Sequence, residues 1–147
     1  MICVDASVAA QWIFEEDLSA TARALLADMI TAGDAPCAPP LLAFELTNVV
    51  LQRVRRRLIP ANEAREYLAD FLALGVAVVT APDMHLRALS LSTRFSLPAA
   101  YDAHYLALAE WLRCPFWTND RRLVNTVGAS LPFVRWIGDY QSKQTQT

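Results

Sequence analysis

Lysine is almost missing from this chain: of 147 residues only Lys143 carries an ammonium side chain, and it lies in the tail. Enzymes that pass a phosphoryl group to an aspartate, such as haloacid dehalogenase-like phosphatases and response-regulator receivers, place a lysine beside that group. The phosphatases also need a second Asp two residues beyond the first, and Ser7 stands in that position after Asp5. Both classes are therefore disfavoured. Long apolar runs are lacking too: none reaches the roughly 18 residues of a membrane span. The three cysteines, Cys3, Cys37 and Cys114, fit no zinc or redox spacing, so buried free thiols in a reducing cytoplasm are expected. The formal net charge is −2, so no global basic field advertises nucleic-acid binding and any such contact must be local. The sequence enters a strand at once, so no signal peptide is expected.

What is present is a core. Hydrophobic residues make up 54% and charged residues 19%, a balance that folds as one domain of this length. We expect a single domain over 1–140 and a polar, flexible tail over 141–147. There is no internal repeat, linker or low-complexity stretch.

Ile2 to Val4 reads as a buried strand ending at Asp5. Ser7 can cap a helix through Trp12 and Phe14, and Ser19 a second one that Gly33 closes. Ala35 to Ala38 is a short strand. Pro39-Pro40 opens a helix that ends in Arg53-Val54-Arg55-Arg56-Arg57. Pro60 starts another, closed by Gly75, and Val76 to Thr80 is the clearest strand in the chain. Pro82 opens a helix to about Phe95. Tyr101 begins an Ala- and Leu-rich helix that stops near Cys114-Pro115. Phe116 to Thr118 is a strand, Asp120 starts a short helix, and Phe133 to Ile137 is a last strand. Strands alternating with helices predict an α/β fold with a mainly parallel sheet covered on both faces.

Four acids stand in apolar surroundings: Asp5, Glu45, Asp102 and Asp120. Asp102 shares a helical stripe with Leu106 and Ala109, and an inward carboxylate is costly unless paired, hydrogen-bonded or bound to a metal. Taken alone it is best read as a first-turn acid facing the helix dipole. Four such acids are harder to explain separately. Asp5 ends a strand, Asp120 follows another, and Glu45 and Asp102 lie in early helix turns, so all can meet beyond the carboxyl ends of the strands. A shared Mg²⁺ or Mn²⁺ would remove their repulsion, activate a water and stabilise in-line attack on phosphorus.

Val4-Asp5-Ala6-Ser7, Phe44-Glu45-Leu46-Thr47-Asn48-Val49, Tyr101-Asp102-Ala103 with Leu106-Ala107-Leu108-Ala109, and Thr118-Asn119-Asp120 occur in that order. Over roughly residues 1 to 137 this arrangement resembles the PIN-domain ribonucleases of the VapC type, toxins of toxin–antitoxin pairs. The resemblance implies a three-layer α/β/α fold and a Mg²⁺- or Mn²⁺-dependent endoribonuclease hydrolysing RNA. It further implies a homodimer neutralised by a small antitoxin. A catalytically silent RNA- or protein-binding module on the same scaffold is the alternative. By position Asp5, Asp102 and Asp120 would hold the metal, with Glu45 as a further ligand or the general base. Ser7 and Thr118 could orient carboxylates through their hydroxyls, Ser7 being equally well read as a cap. Asn48 is read first as a core residue with a local hydrogen bond.

Arg53, Arg55, Arg56 and Arg57 form a solvated helix end by default and a phosphate contact as the functional reading. Arg121 and Arg122, directly after Asp120, are better placed for RNA. Trp12, Trp111, Trp117 and Trp136 are core residues by default, although Trp12, close to Asp5, could stack on a base or meet the antitoxin. His104 points about 200° away from Asp102 round the helix, toward a surface or interface role, and His85 is assigned none.

Overall fold

The computed structural model describes residues 1–142. The polar tail expected over 141–147 therefore lies mostly outside the described residues. Within them, Ser142 donates to the Asp28 carboxylate at 3.0 Å. Among the described residues five strands form one sheet: β1 (Ile2–Val4), β2 (Pro36–Ala38), β3 (Ala77–Val78), β4 (Phe116–Thr118) and β5 (Val134–Trp136). Seven helices connect them: α1 (Ala6–Ile13), α2 (Ser19–Thr31), α3 (Leu41–Arg55), α4 (Ala64–Leu72), α5 (Met84–Phe95), α6 (Tyr101–Leu112) and α7 (Arg121–Val127). The strand order is β3-β2-β1-β4-β5 and every pairing is parallel, with Cys3 opposite Cys37 on one side and Phe116 on the other. This is the expected three-layer α/β/α architecture.

The central position of β1 follows from its composition. Ile2, Cys3 and Val4 are all buried, as a strand with two neighbours and two covered faces must be. From β1 the chain builds outward to β2 and β3, then crosses back to add β4 and β5 on the other side. The order reverses between β1 and β4, and in such sheets the crevice beyond the strand ends at that point is where ligands bind.

Helix α6 covers this junction. Ala103 and Tyr105 through Ala109 are buried, and the Tyr105 ring stacks on Phe116 of β4 with centroids 5.7 Å apart. Truncating the fully buried Leu106 to Ala would cost about 2–5 kcal/mol. Helix α5 lies against α6, fastened by the two-pronged Arg87–Glu110 pair at 2.6 Å on each prong. All three cysteines are buried free thiols, as expected.

Several local expectations are corrected. The strand expected over Val76 to Thr80 shrinks to Ala77–Val78, because β3 is an edge strand with one neighbour and Val78 is 63% exposed. The helix expected from Pro60 begins at Ala64, after a turn in which the Glu63 amide donates to the Pro60 carbonyl. Ser7 does not cap α1: the cap is Asp5, whose carboxylate accepts from the Val8 amide. Ser19 is the first residue of α2 rather than its cap, and its hydroxyl ties the preceding loop together through Phe14 and Glu16. Gly33 does close α2, in the left-handed conformation that spares it a side-chain clash.

Candidate active site

Asp5 leaves β1 with extended backbone angles and turns its carboxylate into the junction between β1 and β4. It is 7% exposed and accepts three hydrogen bonds. Oδ1 receives the Ser7 hydroxyl at 2.6 Å and the Val8 amide at 3.1 Å, and Oδ2 receives the Thr118 hydroxyl at 2.6 Å. Both hydroxyls are oriented from behind. The Asn119 amide donates to Ser7 Oγ at 2.8 Å, and the Asp120 amide to Thr118 Oγ1 at 3.0 Å. Each hydroxyl has one proton and gives it to Asp5, so the 3.5 Å approach of Ser7 Oγ to Thr118 Oγ1 is a contact without a shared proton. Ser7 and Thr118 thus both hold the Asp5 carboxylate through their hydroxyls.

Burial pushes the Asp5 carboxyl up to about 6, against the three hydrogen bonds that favour its ionised form, and the Asp102 charge adds to the rise. Glu45, in the second turn of α3, is pushed up to about 7, first by burial and then by the charges of Asp5 and Asp102. The Tyr105 hydroxyl from α6 donates to Glu45 Oε2 and opposes that rise. Asp102, in the first turn of α6, is raised by burial and by Asp120. Asp120 caps α7, with Oδ1 accepting from the Arg122 amide at 2.8 Å and the Leu123 amide at 3.1 Å.

The four acids thus stand in one electrostatic neighbourhood. Asp5, Glu45 and Asp102 feel one another, and Asp102 feels Asp120. Among the described residues no three of them are already drawn together into a closed ligand shell. Their chemistry nevertheless fits a hard divalent cation: all donors are carboxylate oxygens, and crowding and burial have raised the proton affinity of three. A cation would relieve that crowding.

Other expectations fare differently. Trp12 is not available to a base or a partner, because its ring is buried and Nε1 donates to the Ala22 carbonyl at 3.0 Å. Trp111, by contrast, is 52% exposed rather than core. Asn48 is exposed, not packed. Arg53 is committed to Glu16 and lies over the Phe14 ring, while Arg55, Arg56 and Arg57 remain solvated. Arg121 is exposed and sits over the Trp136 ring at 3.8 Å. His104 makes a contact the sequence did not foretell: Nε2 lies 3.0 Å from His85 Nδ1. His104 Nδ1 faces the Ala100 carbonyl at 2.7 Å and so carries the proton, which makes His85 the donor within the pair when both rings are neutral.

Two groups escaped sequence reasoning. Tyr105 reads as one more apolar residue of α6, although its spacing of three from Asp102 places it one turn along. Gln11, four residues beyond Ser7, is a polar residue in an otherwise apolar helix, and that mismatch was the available signal.

Residues 2–128 match the PIN domain family. The chain belongs to the PIN-domain family. It is 31% identical over 120 residues to VapC ribonuclease Mb0985 of Mycobacterium bovis and, to the same extent, to Ribonuclease VapC9 of Mycobacterium tuberculosis. These alignments cover 79% of this chain and 92% of each relative. The expected VapC-type PIN domain is therefore met by fold and by kinship. Among the described residues no helix of this PIN domain is long and apolar enough to cross a membrane.

Proposed function

We propose that this PIN domain is an endoribonuclease that hydrolyses RNA phosphodiester bonds, acting as the toxin of a type II toxin–antitoxin pair. The observation that carries the reading is the coupled carboxylate set at the sheet's switch point, in a chain whose relatives are named ribonucleases. Asp5, Asp102 and Asp120 would hold Mg²⁺ or Mn²⁺, with Glu45 beside them. Bound there, the cation would stabilise negative charge on the phosphate and lower the pKa of a water.

The protein's own residues supply the rest. Ser7 and Thr118 fix the Asp5 carboxylate through hydrogen bonds of 2.6 Å, so it needs no reorganisation when the substrate arrives. Glu45, beside that cation, would take the proton of the attacking water as general base. Tyr105 holds Glu45 in place from α6. Water would add to phosphorus and give its proton to Glu45, while the bond to the leaving ribose oxygen breaks and that oxygen takes a proton from solvent.

A small antitoxin protein as partner, a homodimeric state and a cytoplasmic location complete the proposal. Support for a partner surface comes from Phe44 at 75% exposed and Tyr101 at 62%, which border an apolar groove with Pro40 and Met84. The deciding experiment is cleavage of a mixed RNA by purified protein with Mg²⁺, Mn²⁺ or EDTA, alongside Asp102→Asn. No cleavage by the wild type under any metal condition would overturn the proposal.

A further inference from the structure

Beside the carboxylate site lies a second concavity of about 630 Å³, within the range of small-ligand pockets. Its walls include Gln11, Asp17 and Leu18 from the first part of the chain and Asn119, Arg121 and Trp136 from the last. The two sites share a wall. Asn119, whose amide donates to Ser7 Oγ, also accepts the Trp136 indole N–H on its Oδ1 at 3.3 Å. Arg121 follows Asp120 directly. The groove therefore adjoins the acidic site at Asn119 and Arg121.

Gln11 is the unexplained group. It is wholly buried, its Nε2 donates to the Ser7 carbonyl at 3.2 Å, and its Oε1 has no hydrogen-bond partner among the described residues. The Ser7 carbonyl fixes which end of the amide is nitrogen, since the opposite orientation would set two oxygens against each other. A buried acceptor left unpaired is costly and is rarely retained without a use. It asks for an N–H donor.

The same groove also holds a stacking surface. Arg121 lies over the Trp136 ring, and a side chain added at Gly138 would strike that ring at 2.1 Å, so the indole is packed hard against the backbone. Base planes stack on guanidinium groups as well as on aromatic rings. Glu16 is already paired with Arg53, and the Asp17 carboxylate at the same groove disfavours a phosphate and leaves a neutral ring as the better occupant.

We infer that this groove holds a nucleobase next to the scissile phosphate, with Gln11 Oε1 accepting from its N–H edge and Arg121 stacking on its face. The inference rests on the ribonuclease reading and names where that enzyme reads sequence.

The test compares kcat/KM on short RNAs that differ only in the base on either side of the cleaved bond, for wild type and Gln11→Met. Wild type should discriminate at one of these positions by at least about tenfold, the worth of one good base contact. Gln11→Met should flatten that preference by losing the favoured base alone. A preference unchanged in Gln11→Met, or a uniform loss on all RNAs, overturns the inference. Titration of the four ribonucleoside 5′-monophosphates by calorimetry separates the two claims. Selective binding of one nucleotide by a wild type that cleaves nothing would overturn the nuclease and keep the groove. Should Gln11→Met fail to fold, Arg121→Ala changes an exposed side chain, and its nucleotide affinity should drop. Unaltered affinity there overturns the groove.

Discussion

The Tyr105 hydroxyl of α6 donates to the Glu45 carboxylate of α3, a bond between residues 60 apart in sequence. It is one of the few forces holding Glu45 ionised against burial and two neighbouring acids. Tyr105→Phe removes it without changing the ring's stack on Phe116. In the metal-free protein, the Glu45 carboxyl should then titrate above its present value of about 7, as read by carbon-detected NMR. Cleavage at pH 7 should fall about fivefold, the worth of one net hydrogen bond. An unmoved midpoint would show that Tyr105 only packs.

Metal removal should silence the enzyme. EDTA is expected to abolish RNA cleavage, and Mg²⁺ or Mn²⁺ to restore it. Asp102→Asn should lower activity by about 100-fold or more, since it deletes a ligand charge as well as a share of the field. Full activity in EDTA rules the mechanism out.

The metal-free protein should lose stability as pH rises. Asp5 and Glu45 both have folded-state values above their ordinary ones, about 6 against 3.8 and about 7 against 4.5. Protons therefore favour the folded state. The contribution is fully present below about pH 4 and lost as pH climbs through about 7. Asp5 alone accounts for on the order of 3 kcal/mol across that window, at about 1.4 kcal/mol per pH unit between its two midpoints. Urea unfolding in EDTA at pH 5 and pH 8 measures it, and equal stabilities would refute the assignment.

Asp5→Asn should raise the melting temperature of the metal-free protein at pH 8 while abolishing cleavage. The gain is about 1 kcal/mol, less than the whole electrostatic relief, because the amide nitrogen cannot accept from one of the two hydroxyls now pointing at it. Excess Mg²⁺ should stabilise the wild type more than the variant. A lower melting temperature for the variant in EDTA would mean that those hydroxyl bonds outweigh the repulsion.

Self-association is the fifth expectation. Phe44 and Tyr101 flank the apolar groove at the α3–α6 edge. Sedimentation at micromolar concentration should give a dimer, and Phe44→Arg should weaken it. A wild type that sediments as a monomer refutes the dimer.

The strands and helices legible in the sequence were those whose burial is uniform. β1 and β4 are buried at every position, and α6 is buried without a break from Tyr105 to Ala109, so their pattern and their place agree. Val76 to Thr80 has the highest strand propensity, yet sheet position, invisible in a local window, decides its length. The acids were legible because charge in apolar sequence demands compensation. Their partners were less so. Tyr105 hides as a core aromatic, Ser7 trades its expected cap role for a bond to Asp5, and Trp12 spends its indole N–H on α2. The Tyr105 bond joins segments 60 residues apart, and the bonds of Ser7 and Trp12 turn on how a side chain is oriented within its own neighbourhood, which a periodic pattern does not carry.

The central place of β1 has a consequence for synthesis on the ribosome. Its second neighbour, β4, is not made until residue 118, and Asp120 comes two residues later. A nascent or prematurely terminated chain lacking that segment leaves one edge of β1 unpaired and Asp5 without its Thr118 partner. Pairing over so long a separation is slow to form and comes late. The cleft is thus assembled only when about four-fifths of the chain has emerged, so fragments released by stalled or truncated translation carry no complete acidic site.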